Sequence, residues 1–144
     1  MSQSEIINAS GSASTGHVAR RSAGLILSPE NCGALFTQVN QGFQNAYAQY
    51  RKKYSILERI TTVQREAFTL VKYRDKSEEY GWHVDGADPG LRYRFVTGVF
   101  YLNTVDQGGE TEFKMQERKV KPQEGSLLMF PSGWEYEHRG LPPC

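Results

Sequence analysis

The hydrophobic period of this chain changes once, close to residue 66. Ahead of that point Cys32, Leu35, Phe36, Val39, Phe43, Ala46, Tyr47 and Tyr50 recur at spacings of three and four. That is the mark of one apolar helix face, and Gln38, Gln41, Gln44 and Gln49 fall on the other. Ser28 followed by Pro29 supplies a start signal, a capping hydroxyl ahead of a residue pre-set for the first turn. The spacing predicts a helix over about residues 29–53. A short apolar run at 23–27 reads as a strand before it. Beyond residue 66 the period falls to two, in short runs broken by Gly, Pro, Asn and Asp. Strands are predicted at 67–73, 81–85, 93–102, 110–114, 118–121, 126–130 and 134–139. The run at 93–102 is apolar on both faces, as a central strand requires. One helix followed by closely spaced short strands predicts a mainly β chain in two layers, a β-sandwich or jelly roll.

A chain of 144 residues is long enough to form one domain with its own core. Residues 1–20, rich in Ser, Gly, Ala and Asn, read as a flexible leader, with His17 solvated in it. They lack the basic-then-apolar pattern of a secretory signal. The net charge is +1 and the charges are interspersed, so Arg20-Arg21 and Arg51-Lys52-Lys53 read as solvated surface. Neither a nucleic acid nor a membrane is an expected partner, since no apolar run approaches the length of a span. Cys32 and Cys144 are far apart and imply no disulfide framework, which fits a reducing cytoplasm.

Chemistry concentrates in Tyr80-Gly81-Trp82-His83-Val84-Asp85-Gly86. On a strand entering a turn, Gly81, His83 and Asp85 share one face and Trp82 and Val84 the other. An imidazole and a carboxylate two residues apart can then reach the same small cation. Downstream, Trp134, Tyr136 and His138 alternate with Glu135, Glu137 and Arg139, which places His138 in the inward set. Two histidines and one carboxylate on one side of a metal, with the other side open, is the donor set of non-heme Fe(II) sites that activate oxygen. Three histidines and four aspartates produce a His-x-Asp by chance in roughly one such chain in twelve. The match gains weight because it ends a predicted strand, because His138 faces inward, and because the chain between is all β. The competing reading makes His83 a hydrogen-bonded core residue and Asp85 a turn cap ahead of Gly86. Nucleophile and phosphate-loop motifs are absent, and no cysteine pair has zinc-ligand spacing.

Trp82-His83-Val84-Asp85-Gly86, Tyr101-Leu102-Asn103, Gly108-Gly109-Glu110-Thr111-Glu112-Phe113, Val120-Lys121-Pro122 through Gly125 to Leu128-Met129-Phe130-Pro131, and His138-Arg139-Gly140 follow one another in this order. The set, covering about residues 68–143, resembles the 2-oxoglutarate/Fe(II)-dependent oxygenases of the prolyl 4-hydroxylase type. The resemblance implies a double-stranded β-helix braced by the preceding helix. It implies His83, Asp85 and His138 as iron ligands, the aspartate favouring hydroxylation over halogenation. Tyr73 and Tyr101 match tyrosines that contact 2-oxoglutarate, with Thr111 a further pocket residue; the alternative for both tyrosines is packing in a β core. Arg92 and Arg94 lie close to the site in sequence, where solvent exposure competes with a substrate contact. The implied cofactors are Fe(II), 2-oxoglutarate as co-substrate, and ascorbate. The implied reaction uses molecular oxygen to hydroxylate a prolyl residue of a peptide or a small molecule, releasing succinate and carbon dioxide.

One element of that pattern is missing. In the family an eighth strand after the distal histidine carries an Arg or Lys that pairs with the far carboxylate of 2-oxoglutarate, whereas Cys144 stands six residues after His138. The expectation is an oxygenase domain over 21–144, with a helical brace at 29–53 and a β core at 66–144, C-terminally truncated and lacking its final core strand. Truncation is one of three explanations for the gap; the others are that Gly24 to Leu27 or another N-terminal segment fills it, or that a second copy does, so an oligomer through the exposed sheet edge is a further expectation. Lys114 is a candidate substitute for the carboxylate anchor. Two other readings keep the fold and change the chemistry. A non-catalytic β-sandwich binding module, or an inactive truncated oxygenase, binds no metal or turns over nothing. A metal-dependent isomerase on a cupin-like barrel binds metal but ignores 2-oxoglutarate.

Overall fold

The computed structural model describes residues 22–87 and 89–144, together with the backbone of two short strands, β1 (Ile6–Ile7) and β2 (Ala13–Ser14). These two pair antiparallel. The rest of the leader predicted over 1–20, with His17, lies outside the described residues, as does Asp88. The chain divides into two compact units, Leu25–Leu70 and a second formed by Met1–Gly24 with Val71–Cys144.

The first unit takes in α1 (Pro29–Lys53), a 3-10 turn at Ser55–Arg59, and the larger parts of β3 (Ala23–Leu27) and β4 (Phe68–Lys72), which pair with each other. The start of α1 is a reciprocal cap. The Ser28 hydroxyl accepts from the Asn31 amide, and the Asn31 side chain accepts from the Ser28 amide at 2.8 Å. Asn31 also donates to the Ile26 carbonyl at 2.7 Å, tying β3 to the helix. Cys32 leaves the helical region and kinks the first turn. The aromatic stripe packs as its spacing predicts: Phe36 and Phe43 meet Phe68 edge-on at 5.9 and 6.0 Å. The Arg65 guanidinium lies over the Phe36 and Phe68 rings at 5.0 and 4.6 Å. The stripe is shallow, however. No residue of α1 is fully buried, and Leu35 is exposed.

The second unit holds six further strands: β5 (Tyr80–His83), β6 (Val96–Phe100), β7 (Thr111–Phe113), β8 (Arg118–Val120), β9 (Leu127–Pro131) and β10 (His138–Gly140). They form a four-stranded sheet in the order β5-β10-β7-β8 and a two-stranded sheet of β6 and β9, all pairs antiparallel. Among the described residues β6 pairs only with β9. The core of the unit is aromatic. Phe113 and Phe130 are buried with their rings edge-on at 4.9 Å, and Phe130 meets the His138 ring at 4.8 Å. Past β10 the chain runs beside residues 107–110. There Leu141 donates to Glu110, Gly109 to Pro142 and Cys144 to Gln107. Gly108, at φ 75°, permits that approach, since a Cβ there would collide with the Pro142 carbonyl oxygen.

Three predicted strands differ from the observed ones. The run at 93–102 contracts to β6, because the Arg94 amide closes a turn onto the Leu91 carbonyl and leaves Tyr93 exposed. The strand at 81–85 ends at His83, and Asp85 sits in the turn that follows. The alternating stretch at 134–139 is a 3-10 turn at Trp134–Tyr136 followed by β10, the turn closed by the Tyr136 amide on the Gly133 carbonyl at 3.0 Å. A turn rotates its side chains by far less than the half-revolution per residue that alternation assumes. Trp134 is therefore 69% exposed rather than inward, whereas His138 is buried as expected.

Candidate metal centre

β5 turns His83 inward and leaves Trp82 at the surface. β10 lies between β5 and β7, in a register that sets His138 opposite both His83 and Phe113. Each imidazole is tied down through the same ring nitrogen. His83 Nδ1 is 2.9 Å from the Gly81 carbonyl oxygen, and His138 Nδ1 is 2.9 Å from that of Tyr136. A carbonyl only accepts, so Nδ1 must carry the proton and Nε2 of the neutral ring keeps its lone pair. That is the tautomer a metal-binding histidine needs.

Asp85 completes the group from its turn. Oδ1 lies 3.6 Å from His83 Nε2 and Oδ2 lies 3.8 Å from His138 Nε2. One ligand atom from each residue falls within 4.8 Å of the others, and both histidines are buried. Two donors about 2.1 Å from one cation and at right angles to each other sit about 3 Å apart. The three side chains therefore fit a first-row divalent metal after shifts of less than about 1 Å. Among the described residues no second group of this kind occurs.

Two residues that sequence reasoning missed hold the carboxylate. The Thr97 hydroxyl donates to Asp85 Oδ2 at 2.6 Å and lies 2.8 Å from the Ser132 hydroxyl. Ser132 is 1% exposed; its carbonyl accepts from the Gly86 amide and its own amide donates to Phe95. Gly86 matters for its missing side chain, since a Cβ would stand 2.9 Å from the Ser132 carbonyl oxygen. The only hint in the sequence is that Thr97 is the sole hydroxyl in β6, among Val96, Gly98, Val99 and Phe100. The neighbouring arginines separate. Arg94 is half-buried with Nη1 3.5 Å from the Asp85 carbonyl oxygen, whereas Arg92 is exposed and lies over Tyr93.

The three residues matched to 2-oxoglutarate contacts gather at the far end of β10. Thr111 is in register with Gly140, and the Tyr101 hydroxyl is 2.7 Å from the buried Thr111 hydroxyl. A Cβ at Gly140 would stand 3.2 Å from the Tyr73 hydroxyl oxygen. Gly140 follows His138 by two residues, so the group lies about 7 Å along the same strand face. Burial pushes the Tyr101 phenol above its usual range, an effect that the Thr111 hydrogen bond only partly offsets. Lys114 is elsewhere. It pairs with Glu137 at 2.9 Å and lies over the Trp82 ring, on the sheet face opposite His83. Arg139 covers the other part of Trp82 and pairs with Glu112 at 2.6 Å. The outer face is thus an ion network, and Lys114 is not placed to anchor a ligand at the histidines.

Among the described residues no helix is long and apolar enough to cross a membrane. No curated protein matches the chain in sequence. Solved structures share its fold, two prolyl hydroxylases among them. The viral collagen prolyl hydroxylase of Paramecium bursaria Chlorella virus 1, in complex with 2-oxoglutarate, has 20% identity and a TM-score of 0.63, over 86% of this chain and 72% of that one. A prolyl-4-hydroxylase of Pseudomonas putida has 24% identity and a TM-score of 0.62, over 86% of this chain and 66% of that one. Residues 68–144, more than half of the chain and the part containing every side chain of the site, match the model of the 2OG-Fe(II) oxygenase superfamily, and the chain belongs to that family.

Proposed function

We propose that the protein is an Fe(II)- and 2-oxoglutarate-dependent dioxygenase that hydroxylates a C–H bond, in a prolyl residue of a peptide or in a small molecule. The observation that carries this reading is the convergence of His83 Nε2, His138 Nε2 and the Asp85 carboxylate, with both Nδ1 atoms committed to backbone carbonyls. These three side chains would hold the iron from one side and leave the other for co-substrate and oxygen. The bound iron supplies an oxidative decarboxylation in which one atom of O2 enters succinate, with loss of carbon dioxide, and the other enters the C–H bond as hydroxyl.

The chain's own part is to bind, orient and exclude water. Tyr73, Tyr101 and Thr111 hold 2-oxoglutarate in this proposal, and their grouping at Gly140 supports it. The raised Tyr101 pKa keeps its hydroxyl protonated, able to donate to a carboxylate at neutral pH. Phe113 and Phe130, buried against His138, form a dry wall on one side of the site. The fold shared with two prolyl hydroxylases supports a prolyl substrate. Ascorbate is the proposed reductant for oxidised iron, and the free Cys32 and Cys144 fit a reducing cytoplasm. We propose further that the two sheets are the layers of a double-stranded β-helix within an oxygenase domain over 21–144. A further strand beside β6, which among the described residues pairs only with β9, would complete it.

The test is succinate formation from 2-oxoglutarate by the purified chain with Fe(II), ascorbate and proline-rich peptides. Turnover that depends on all three small molecules is expected. Absence of both iron binding and succinate would overturn the reading and favour a non-catalytic β-sandwich.

A further inference from the structure

Asp85 differs from the other two ligands in how it is held. The histidines sit on paired strands, with ring nitrogens fixed by the carbonyls of Gly81 and Tyr136. Asp85 sits in a turn beyond the end of β5, where no ladder hydrogen bond sets its side chain. Among the described residues its carboxylate accepts from the Thr97 hydroxyl, from the other sheet, at 2.6 Å. A metal-binding carboxylate is ionised and can only accept, so the single Thr97 hydrogen is committed to Asp85. The 2.8 Å contact between Thr97 and Ser132 then has one possible direction, with Ser132 donating. The result is a one-way chain from Ser132 O–H to Thr97 O–H to Asp85 Oδ2. Each link strengthens the next in a site where Ser132 is almost wholly buried.

We propose that Thr97, with Ser132 behind it, is a positioning residue that fixes the Asp85 carboxylate by holding Oδ2, so that Oδ1 is the oxygen offered to the metal beside His83. This rests on the metal-centre reading above. The same segment that carries Ser132 also accepts from the Gly86 amide, so the turn is clamped by backbone and side chain together. Without the Thr97 hydroxyl the carboxylate gains a torsional freedom that metal binding must then remove. The Ser132 hydroxyl is left buried with no acceptor at Thr97.

The test is titration of the full chain with Mn(II), and the visible d–d spectrum of its Co(II) form, in Thr97→Val, Thr97→Ser and Ser132→Ala. Thr97→Val keeps the shape and removes the hydroxyl; its Mn(II) affinity is expected to fall by about 10- to 100-fold, the usual cost of losing an outer-sphere partner. Its Co(II) bands are expected to shift. Thr97→Ser restores both, and Ser132→Ala falls between. A Thr97→Val protein that binds Mn(II) within about twofold of the parent would overturn the proposal. So would a Thr97→Ser protein as weak as Thr97→Val, since the methyl and not the hydroxyl would then matter. His83→Ala separates the two claims. If the parent binds Mn(II) and His83→Ala does not, the centre stands however Thr97 behaves. If the parent binds none, both readings fall.

Discussion

His138 stands directly opposite His83 across the β10–β5 pair, with the two ring centroids 4.2 Å apart. Strand pairing alone therefore brings together two imidazoles that are 55 positions apart in the chain. Asp85 joins them through a different device, a turn clamped by Thr97 and Ser132.

Removing a ligand should cost more than removing anything behind it. Asp85→Ala and His138→Ala are each expected to weaken Mn(II) binding by more than about 100-fold, above the range that outer-sphere changes produce. Far-ultraviolet circular dichroism should stay that of the parent for Asp85→Ala, whose side chain lies in a turn. Titration calorimetry on the two variants measures the difference.

Tyr101→Phe tests the proposed co-substrate contact apart from the metal. It deletes the hydroxyl 2.7 Å from Thr111 and leaves that buried hydroxyl without its partner. A stability loss of about 1 kcal/mol is expected from the broken bond. The apparent KM for 2-oxoglutarate should rise about tenfold, as loss of a hydrogen bond to a charged group would give. Mn(II) affinity in the absence of 2-oxoglutarate should not change.

Gly86→Ala tests the clamp from the backbone side. The added Cβ would stand 2.9 Å from the Ser132 carbonyl oxygen, so the turn and β9's end must move apart. The expected cost is about 1–3 kcal/mol, typical of overpacking against a part that cannot yield. A urea unfolding midpoint, read beside Mn(II) affinity, should show both falling together.

Glu112 gives the outer face a pH dependence. The Arg139 hydrogen bond and charge, with Lys119 behind them, hold its carboxyl below the ordinary 4.5. A depressed carboxylate stabilises the fold above its unfolded value, and that stability is lost as pH falls through the lower folded one. The gap in stability between the parent and Glu112→Gln should therefore be constant above about pH 5 and close as the pH drops below about 4. Its size should not exceed about 1 kcal/mol, because the pair lies on a solvated face, and added salt should shrink it. Denaturant titrations at several pH values measure the gap.

The meeting of His83, Asp85 and His138 is legible in the sequence because the signals are local. His-x-Asp at a strand end and His138 in an apolar alternation each survive being read alone. The alternation misleads at Trp134 because one hydrogen bond, from Tyr136 to Gly133, converts the segment to a turn before the strand begins. It overextends β6 for the same reason, through the bond from Arg94 to Leu91. Thr97 and Ser132 are illegible because a hydroxyl in an apolar strand and a serine after a proline each have many uses. Only the packing of β6 and β9 beside the Asp85 turn selects this one. The face of Lys114 is hidden likewise, since residue 114 lies just past the end of β7 and its direction is settled by Glu137 and Trp82 across the sheet.

The central place of β10 has a kinetic consequence. To free His138 the chain must break ladders with β5 and β7 at once, whereas freeing Asp85 takes the opening of one turn, with its Gly86–Ser132 bond and its Thr97 contact. Local opening concentrates where fewest bonds must break. In the proposed centre the histidine pair is thus the standing half, and the carboxylate is its latch. Backbone amide exchange should be slow across β10 and faster at residues 84–87, and opening of that turn would set the rate at which an ion held in the proposed centre escapes.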